Sequence, residues 1–443
     1  RDHDNLRAAL AWLLDNRPVR AIEMATGMAG LWLLRAHLRE GCRWLDRAMQ
    51  AVPEPTLARA EGLHARQALE RRRPDNYDLA DELCQERIAI HHDLGDRRGE
   101  CLAVLDLADG WLLRGRFDAA LELTEQAAQL AAPLDDRGLD AAALERIGLV
   151  AAWRQDLEGA RVAFDDALAM CEAAPADAAP SSAVVSLSCF LAPPGATGEY
   201  PAMRFEETTL HFRRLAPHAA RASLLSHRSY LLRCTGDYGA ARDELDAALA
   251  IVRAGGDELD HARLVAQRGT LAARAGDLDA AEAWLDESLE LRLRLREHRG
   301  ILLTLASLAM VASAKGESER AAELLARAGR MADEAVDGPG MAGVLLARAE
   351  IARVRGDLQG AREALDGALT VFYGRAGLLH DASWVHLQHA HLSFEVGDVD
   401  ETARRLDHAR SGFTESGTAL GVDYCAALEQ RLHTANGLLT DAL

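Results

Sequence analysis

The sequence repeats one short turn motif about every 40 residues, and this repeat constrains the fold more than any other feature. The clearest copies follow the form Gly-Asp-Leu-x-x-Ala and begin at Gly115, Gly236, Gly276 and Gly356. Weaker or degenerate copies begin at positions 36, 75, 155, 198, 316 and 397, so that neighbouring copies are 38 to 43 residues apart. A fixed period of this size is typical of solenoids, in which one supersecondary unit stacks on the next. We number the ten units by these turns.

The residues around each turn predict two helices that pack closely. Glycine can adopt the left-handed conformation that ends a helix, and the Asp that follows it in most units is a favourable N-cap for the next helix. Small residues recur at two fixed places, which lets the helices of a pair approach closely. The sixth place of the motif holds Ala120, Ala160, Ala241, Ala281, Ala321 and Ala361. The place seven residues before the turn holds Ala29, Ala68, Ala108, Gly148, Ser229, Gly269, Ala309, Ala349 and Ala390, with Leu191 as the exception.

The composition favours an all-α fold. Apolar residues make up 49% of the chain but aromatic residues only 5%, so Ala and Leu must form most of the core. Both are strong helix formers and neither is favoured in strands. An irregular helical bundle is the alternative to a repeat array, but ten turns in one register favour the array.

The motif resembles the tetratricopeptide repeat, with Gly-Asp-Tyr/Leu-x-x-Ala at the turn and a small residue in the first helix of each pair. The resemblance covers roughly residues 20 to 410 and implies a right-handed α-solenoid superhelix of about ten helix pairs. The sequence departs from that family in its period, which is near 40 rather than about 34 residues. The Pro that usually closes a unit is also mostly missing.

The repeat divides the chain into five parts. We expect a capping helix at 1–20, units one to four at 21–172, units six to ten at 204–411, and a capping helix with a tail at 412–443. Between the two arrays, residues 173–203 contain five of the twelve prolines and form a degenerate fifth unit. Proline cannot continue a helix interior, so this part is either a hinge or partner-binding bulge, or a decayed repeat with longer loops.

Charge and composition exclude several classes of function. The net charge of −19 disfavours binding to nucleic acid or to an anionic membrane surface, because both depend on clustered Lys and Arg. The one lysine, Lys315, precedes Gly316 and Glu317 and so cannot belong to a P-loop. The seven cysteines are scattered, which favours reduced thiols and a cytoplasmic location. We predict a protein without catalytic activity or cofactor.

A histidine-rich stretch is the strongest candidate for a metal site. His386 and His389 are i, i+3 neighbours on a predicted helix, and a third ligand would have to come from His380 or Asp381, almost two turns earlier. Histidines on a helix surface or between repeats are the more common reason for such a pattern. We therefore predict no metal site.

The family resemblance also implies a binding surface. In tetratricopeptide arrays the first helices line the concave face, and exposed positions lie 2, 3, 6, 10 and 13 residues before the turn. Transferred to this chain, these positions give candidate ligand-binding residues: Glu145, Trp153, Tyr230, Arg233, Arg263, Arg274, Arg353, Trp384 and His391. Arginines and aromatic residues often dominate binding energy, so an acidic or carboxylate-bearing ligand is one interpretation. Pairing of these arginines with neighbouring Asp and Glu is the other.

The N-terminal segment carries a second resemblance. The runs Asp2-His-Asp-Asn-Leu-Arg-Ala-Ala-Leu10-Ala-Trp12 and Leu31-Trp-Leu-Leu-Arg-Ala-His-Leu-Arg-Glu-Gly41-Cys-Arg-Trp44 resemble the start of the helical array in STAND-type signal-transduction ATPases. These include AfsR-like, MalT-like and LuxR-type transcriptional regulators. The resemblance implies ATPase and winged-helix modules upstream in the same polypeptide. The first run also suits a capping helix with Leu6, Leu10 and Leu13 on its buried side.

Two functions follow from these features. One is a sensor and autoinhibitory array of a multidomain ATPase regulator, which binds a protein, a peptide or a small-molecule inducer on its concave face. The other is a general protein-interaction scaffold that acts without a nucleotide switch. A P-loop followed by a winged helix in the upstream sequence would favour the first.

Overall fold

The chain folds as an array of α-helices. The structure is a computed structural model that describes residues 2–35, 37–71, 77–173, 217–335, 338–373 and 379–441. Over these ranges it contains twenty α-helices, one 3-10 helix at Ala132–Leu134 and no β-strand. The predicted all-α solenoid fold is confirmed.

Among the described helices, the first and the last are single. The helices between them alternate between the first and second members of successive pairs, so that the even-numbered helices are first members. In the first half they are α1 Asp2–Asn16, α2 Pro18–Leu34, α3 Leu38–Ala51, α4 Leu57–Arg71, α5 Tyr77–Asp93, α6 Arg97–Leu113, α7 Phe117–Ala131, α8 Arg137–Trp153, α9 Leu157–Ala173 and α10 Pro217–Cys234. In the second half they are α11 Tyr238–Gly255, α12 Glu258–Arg274, α13 Leu278–Leu295, α14 His298–Ala314, α15 Ser318–Ala335, α16 Gly338–Val354, α17 Leu358–Tyr373, α18 Leu379–Glu395, α19 Val399–Ser416 and α20 Ala419–Asp441.

The turns inside the pairs have the predicted geometry. Gly276 has a φ of +86° at the end of α12, and Asp277 then accepts a hydrogen bond from the backbone N–H of Ala280 at 3.1 Å. The same left-handed glycine occurs at positions 115, 236, 316, 356 and 397. Gln155 adopts this conformation in unit four without being glycine, with a φ of +65°.

The connections between pairs use the same chemistry, which explains the long period. Gly256 has a φ of +70°, and Asp257 caps α12 by accepting from the N–H of Asp260. The connections before and after α12 are therefore only two and three residues long, whereas the one before α4 has five. A first helix of 17 residues and a second of 18, as in α12 and α13, fill the remainder of the 40-residue period.

The small residues lie where the two helices of a pair touch. A Cβ atom added to Gly148 would lie 2.5 Å from Cε1 of Phe164, and one added to Gly269 would lie 2.8 Å from Cγ of Leu285. Ser229 fits the same place in unit six and donates a hydrogen bond to the carbonyl oxygen of Ala241 at 2.8 Å. These distances leave no room for a larger side chain.

The pairs stack so that each described unit contacts the next. Each second helix packs against the first helix of the next unit, and first helices also pack against one another, as α6 does on α8 and α12 does on α14. We call the surface that the first helices form the inner wall.

Unit four stacks directly on unit six. Helix α10 packs against α8 and α9, and the ring of His227 lies 5.2 Å from the ring of Phe164. Nine pairs are thus present in the described ranges, where the turn spacing predicts about ten. The residues of the predicted fifth unit, including Leu191 and the prolines between 174 and 203, lie outside the described residues.

Single helices cover both ends of the stack. Helix α1 packs against α2 and α3, and its Leu10 is buried among the side chains of the first two units. Helix α20 packs against α18 and α19. Among the helices that the structure describes, none combines the length and the hydrophobicity needed to span a membrane.

Candidate functional site

A row of buried and half-buried polar side chains runs along the inner wall from unit three to unit seven. It is formed by the first helices α6, α8, α10 and α12, because each contributes polar residues to the face that meets the next first helix. We call this set the inner polar row. Its members are Asp109, Glu145, Arg146, Ser223, Ser226, His227, Asp260, Arg263 and Gln267.

The row begins with an ion pair between units three and four. Arg146 donates two hydrogen bonds to Asp109, with distances of 3.0 Å from Nε to Oδ1 and 2.9 Å from Nη2 to Oδ2. Each side chain is only 1% exposed. The third guanidinium nitrogen of Arg146 lies 3.2 Å from Oε2 of Glu145 and 3.1 Å from the carbonyl oxygen of Ala142. The buried charge is therefore fully surrounded by acceptors.

Glu145 is the central residue of the row. Its Oε1 accepts a hydrogen bond from Ser223 Oγ at 3.3 Å and lies 3.5 Å from Nδ1 of His227, so it joins unit four to unit six. Burial raises the pKa of Glu145 to about 7, and this effect outweighs the opposing charge of Arg146. The nearby carboxylate of Asp109 raises this pKa further. The carboxyl group can therefore gain or lose its proton near neutral pH.

The row continues from unit six to unit seven. Ser226 donates a hydrogen bond to Oε1 of Gln267 at 2.7 Å and lies 3.3 Å from Nη1 of Arg263. Arg263 Nε also donates to Oδ1 of Asp260 at 3.2 Å. Arg263 is therefore held by side chains of its own array, as the salt-bridge interpretation of the arginines predicts.

Tyr230 and Arg233 lie one and two turns further along α10. The guanidinium carbon of Arg233 lies 5.3 Å from the centre of the Tyr230 ring, within the range of a cation–π interaction. Both side chains are buried. Arg274, near the end of α12, is half-buried.

Arg353 and His391 lie in the last units. Arg353 donates two hydrogen bonds to the carboxylate of Glu350, both at 3.0 Å, and so has an internal partner. Burial lowers the pKa of His391 to about 3, and the charges of Arg431 and Arg353 lower it further. His391 is therefore neutral at physiological pH.

Trp153 and Trp384 do not line the open wall but meet in one aromatic cluster. Trp153 lies at the end of α8 and Trp384 lies in α18, ten helices later in the chain, and both pack around His380. The ring of His380 is 5.4 Å from that of Trp153 and 5.2 Å from that of Phe117. The superhelix thus returns to contact itself.

The positions taken from the tetratricopeptide repeat correctly put the candidate ligand-binding residues on first helices. The expectation that their side chains are exposed was wrong. Only Arg274 and Arg353 are half-buried, and the other seven candidates are buried. These are Glu145, Trp153, Tyr230, Arg233, Arg263, Trp384 and His391. Longer helices place several of these side chains against the neighbouring unit, and contact across the superhelix covers others.

Sequence reasoning missed a polar column nine residues before most turns. Its members in the described units are Arg66, Asp106, Arg146, His227, Gln267, Ser307 and Gln388, and units one and nine depart from it with Gly27 and Ala347. Arg66 pairs with Glu70, and Asp106 accepts a hydrogen bond from Arg87 at 2.6 Å. Polar residues recur at this position in the sequence, so the column could have been predicted.

The histidines of α18 occupy separate environments. His389 Nε2 lies 3.2 Å from Oδ1 of Asp366, and the ring of His386 stacks on His408 at 4.9 Å. Within the described residues, no three His, Cys, Asp or Glu side chains are grouped so as to hold a metal ion.

Comparison with known proteins gives a distant likeness to transcriptional regulators. No family profile matches the chain. Proteins described as HTH-type transcriptional regulators from Mycobacterium bovis and Mycobacterium tuberculosis are 26% identical to it over 145 residues. This match covers 30% of the chain and 16% of each regulator, so the chain corresponds to a small part of their length.

Solved structures share the helical-repeat fold. A Rap protein complexed with competence and sporulation factor has a TM-score of 0.53 and 13% identity, and the match covers 90% of this chain and 99% of the other. The Rap conjugation gene regulator of plasmid pLS20, in complex with the Phr* peptide, has a TM-score of 0.51 and 12% identity, covering 89% and 95%. A STAND protein with a tetratricopeptide repeat sensor from Pyrococcus horikoshii has a lower TM-score of 0.44 and 12% identity, and the match covers 96% of this chain and 54% of the other.

Proposed function

We propose that the chain is the sensor array of a multidomain transcriptional regulator and that its inner wall binds a peptide or a protein segment. Binding would change the restraint that the array places on an ATPase module of the same polypeptide. The array itself acts without catalysis or cofactor. It contacts no nucleic acid directly, since its net charge is −19.

The inner polar row carries this proposal. Apolar side chains would stabilise a stack of helices more simply, because burying polar groups costs free energy even when they are hydrogen-bonded. This row instead places hydrogen-bonding groups along successive first helices, on the wall where solenoids commonly bind partners. Tyr230, Arg233 and Arg274 lie on the same two helices as its second half. Together they can recognise an extended peptide with acidic groups.

Three further observations support the regulatory context. The N-terminal runs resemble the start of STAND-type arrays. The distant relatives are described as HTH-type transcriptional regulators. The two Rap structures with TM-scores of 0.53 and 0.51 were solved with a bound factor or peptide.

Peptide selection tests the binding half of the proposal. A phage-displayed peptide library is panned against residues 1–443 and against the double variant Arg233→Ala/Arg274→Ala. Arg242→Ala/Arg253→Ala is the matched control, because it removes the same charge from exposed positions of α11. We expect acidic peptides to be enriched on the parent and the control but not on the inner-wall variant. Equal enrichment on all three, or none on the parent, would contradict the proposed site.

Nucleotide hydrolysis tests the regulatory half. The natural full-length polypeptide is compared with a form that lacks the region corresponding to residues 1–443. An autoinhibitory array predicts faster ATP hydrolysis after its removal. An unchanged rate, or a natural polypeptide without a P-loop, would instead favour the general scaffold.

A further inference from the structure

Residues far apart in the sequence form one compact contact between the two halves of the array. The side chains of Phe117, at the start of α7, and Trp153, at the end of α8, pack against His380 of unit ten, and His380 in turn packs against Trp384 and Phe413 of the same unit. We call these five residues the closing contact. Ring centroids within it lie between 4.7 and 6.3 Å apart, the range of favourable aromatic pairs.

The backbone of the unit-three turn touches α18 directly. A Cβ atom added to Gly115 would lie 2.5 Å from Cβ of His380 and 3.6 Å from its Cα. Gly115 has a φ of +72°, like the other turn glycines. At Gly236, Gly276, Gly316, Gly356 and Gly397, however, an added Cβ would meet nothing within 4 Å. Gly115 alone among these turns is therefore pressed against a distant unit.

The hydrogen bonds of His380 hold its ring in one orientation. Trp384 Nε1 donates to Nε2 of His380 at 3.1 Å, so Nε2 is the acceptor and Nδ1 carries the proton. Nδ1 then faces the hydroxyl oxygens of Thr418 at 3.2 Å and Ser416 at 3.4 Å. At the exposed rim, Arg116 donates to Glu415 at 3.2 Å, across 299 positions of sequence.

We propose that the closing contact is a reversible closure of the superhelix, which exists in a closed form and in an open form. Stacked repeats are joined only to their neighbours, so their curvature changes with small rotations at each interface. The closing contact is the point where this freedom is limited. It consists of a few side chains, whereas a permanent interface buries a much larger area. Separating these side chains leaves every stacking interface between neighbouring units intact. Opening would uncover the inner wall.

A matched pair of glycine variants tests this proposal. Gly115→Asn adds a side chain that tolerates the left-handed conformation but collides with His380, whereas Gly236→Asn makes the same change where space is open. Small-angle X-ray scattering measures the radius of gyration of each full chain, and hydrogen exchange measures the protection of α7 and α18. We expect Gly115→Asn to be larger than the parent and the control, with exchange in the first turns of α18 faster by roughly tenfold or more. Equal size and equal protection in the two variants would overturn the proposal.

The exposed rim provides a test that does not disturb the core. Arg116→Glu places like charges opposite each other, and adding Glu415→Arg restores an ion pair of reversed sense. We expect the single variant to speed exchange at the start of α18 by about twofold to fivefold, the range of a surface ion pair, and the double variant to return to the parental rate. Unchanged exchange in the single variant would contradict a reversible closure at this contact.

Discussion

Arg146 and Asp109 form a buried, two-pronged ion pair that joins unit three to unit four. Both prongs are normal hydrogen bonds, at 3.0 and 2.9 Å, and both side chains are almost inaccessible to solvent. An ion pair in this position holds two neighbouring first helices in register. The inner polar row continues from this ion pair through Glu145.

Removing one charge of this pair should strongly destabilise the array. Asp109→Asn removes the two-pronged partner of Arg146 and leaves only Glu145 beside its buried charge, and breaking a buried ion pair typically costs about 3–5 kcal/mol. Asp118→Asn is the matched control, because Asp118 pairs with Arg154 of the next unit but is 81% exposed, and such pairs contribute at most about 1 kcal/mol. Urea unfolding measures both. Similar losses in the two variants would show that burial of the Asp109 pair has no energetic consequence.

The helix pairs could be predicted from the sequence because their signals are local. A turn glycine, the Asp that caps the next helix and the small residues at fixed offsets each act within one unit, and all are found in the structure. The same reasoning placed Glu145, Tyr230, Arg233 and Arg263 on first helices, where the structure also has them.

The exposure of these residues could not be predicted in the same way. It depends on contacts such as that of Trp153 with His380, which joins units distant in sequence. The exposed positions were also taken from tetratricopeptide repeats, which have a shorter period. The polar column that contains Arg146 and His227 was therefore overlooked. That column was nevertheless visible as a polar residue that recurs nine residues before most turns.

The small residues should be intolerant of larger side chains. Gly269→Leu would force atoms against Leu285 and against the carbonyl oxygen of Ala281, and overpacking of this kind costs about 1–3 kcal/mol. Gly329→Leu is the control, because an added Cβ there meets nothing within 4 Å and leucine favours the helix. Thermal and urea unfolding should show a loss only for Gly269→Leu. Full stability of that variant would contradict the close packing of α12 against α13 at Gly269.

The closing contact should make stability depend on pH. Burial lowers the pKa of His380 to about 3, while an unfolded histidine titrates near 6.5. Between these values the unfolded chain binds a proton that the folded chain does not, so this contribution is complete above pH 6.5 and decreases as the pH falls. His380→Gln retains an acceptor for Trp384 but cannot titrate. From pH 7 to pH 5 the parent should lose about 2 kcal/mol relative to this variant. Parallel stability curves would contradict the burial of a neutral His380.

Glu145 should have the opposite dependence. Its folded pKa is raised to about 7 from an ordinary value of 4.5, so the folded chain holds a proton that the unfolded chain releases. The parent therefore loses stability as the pH rises from 4.5 to 7. Glu145→Gln should be more stable than the parent at pH 8, by at most about 3 kcal/mol, and should show no such advantage at pH 4. A variant that is less stable than the parent at pH 8 would mean that an ionised Glu145 is favoured by its partners.

The affinity of a selected acidic peptide for the inner wall tests the central claim most directly. Isothermal titration calorimetry compares the parent, Arg233→Ala/Arg274→Ala and the control Arg242→Ala/Arg253→Ala, with circular dichroism to establish that each is folded. Two charge-assisted contacts contribute about 1.5–3 kcal/mol each, so we expect the inner-wall variant to bind at least about tenfold more weakly while the control binds as the parent does. The same affinity for all three proteins would contradict a binding site on the inner wall.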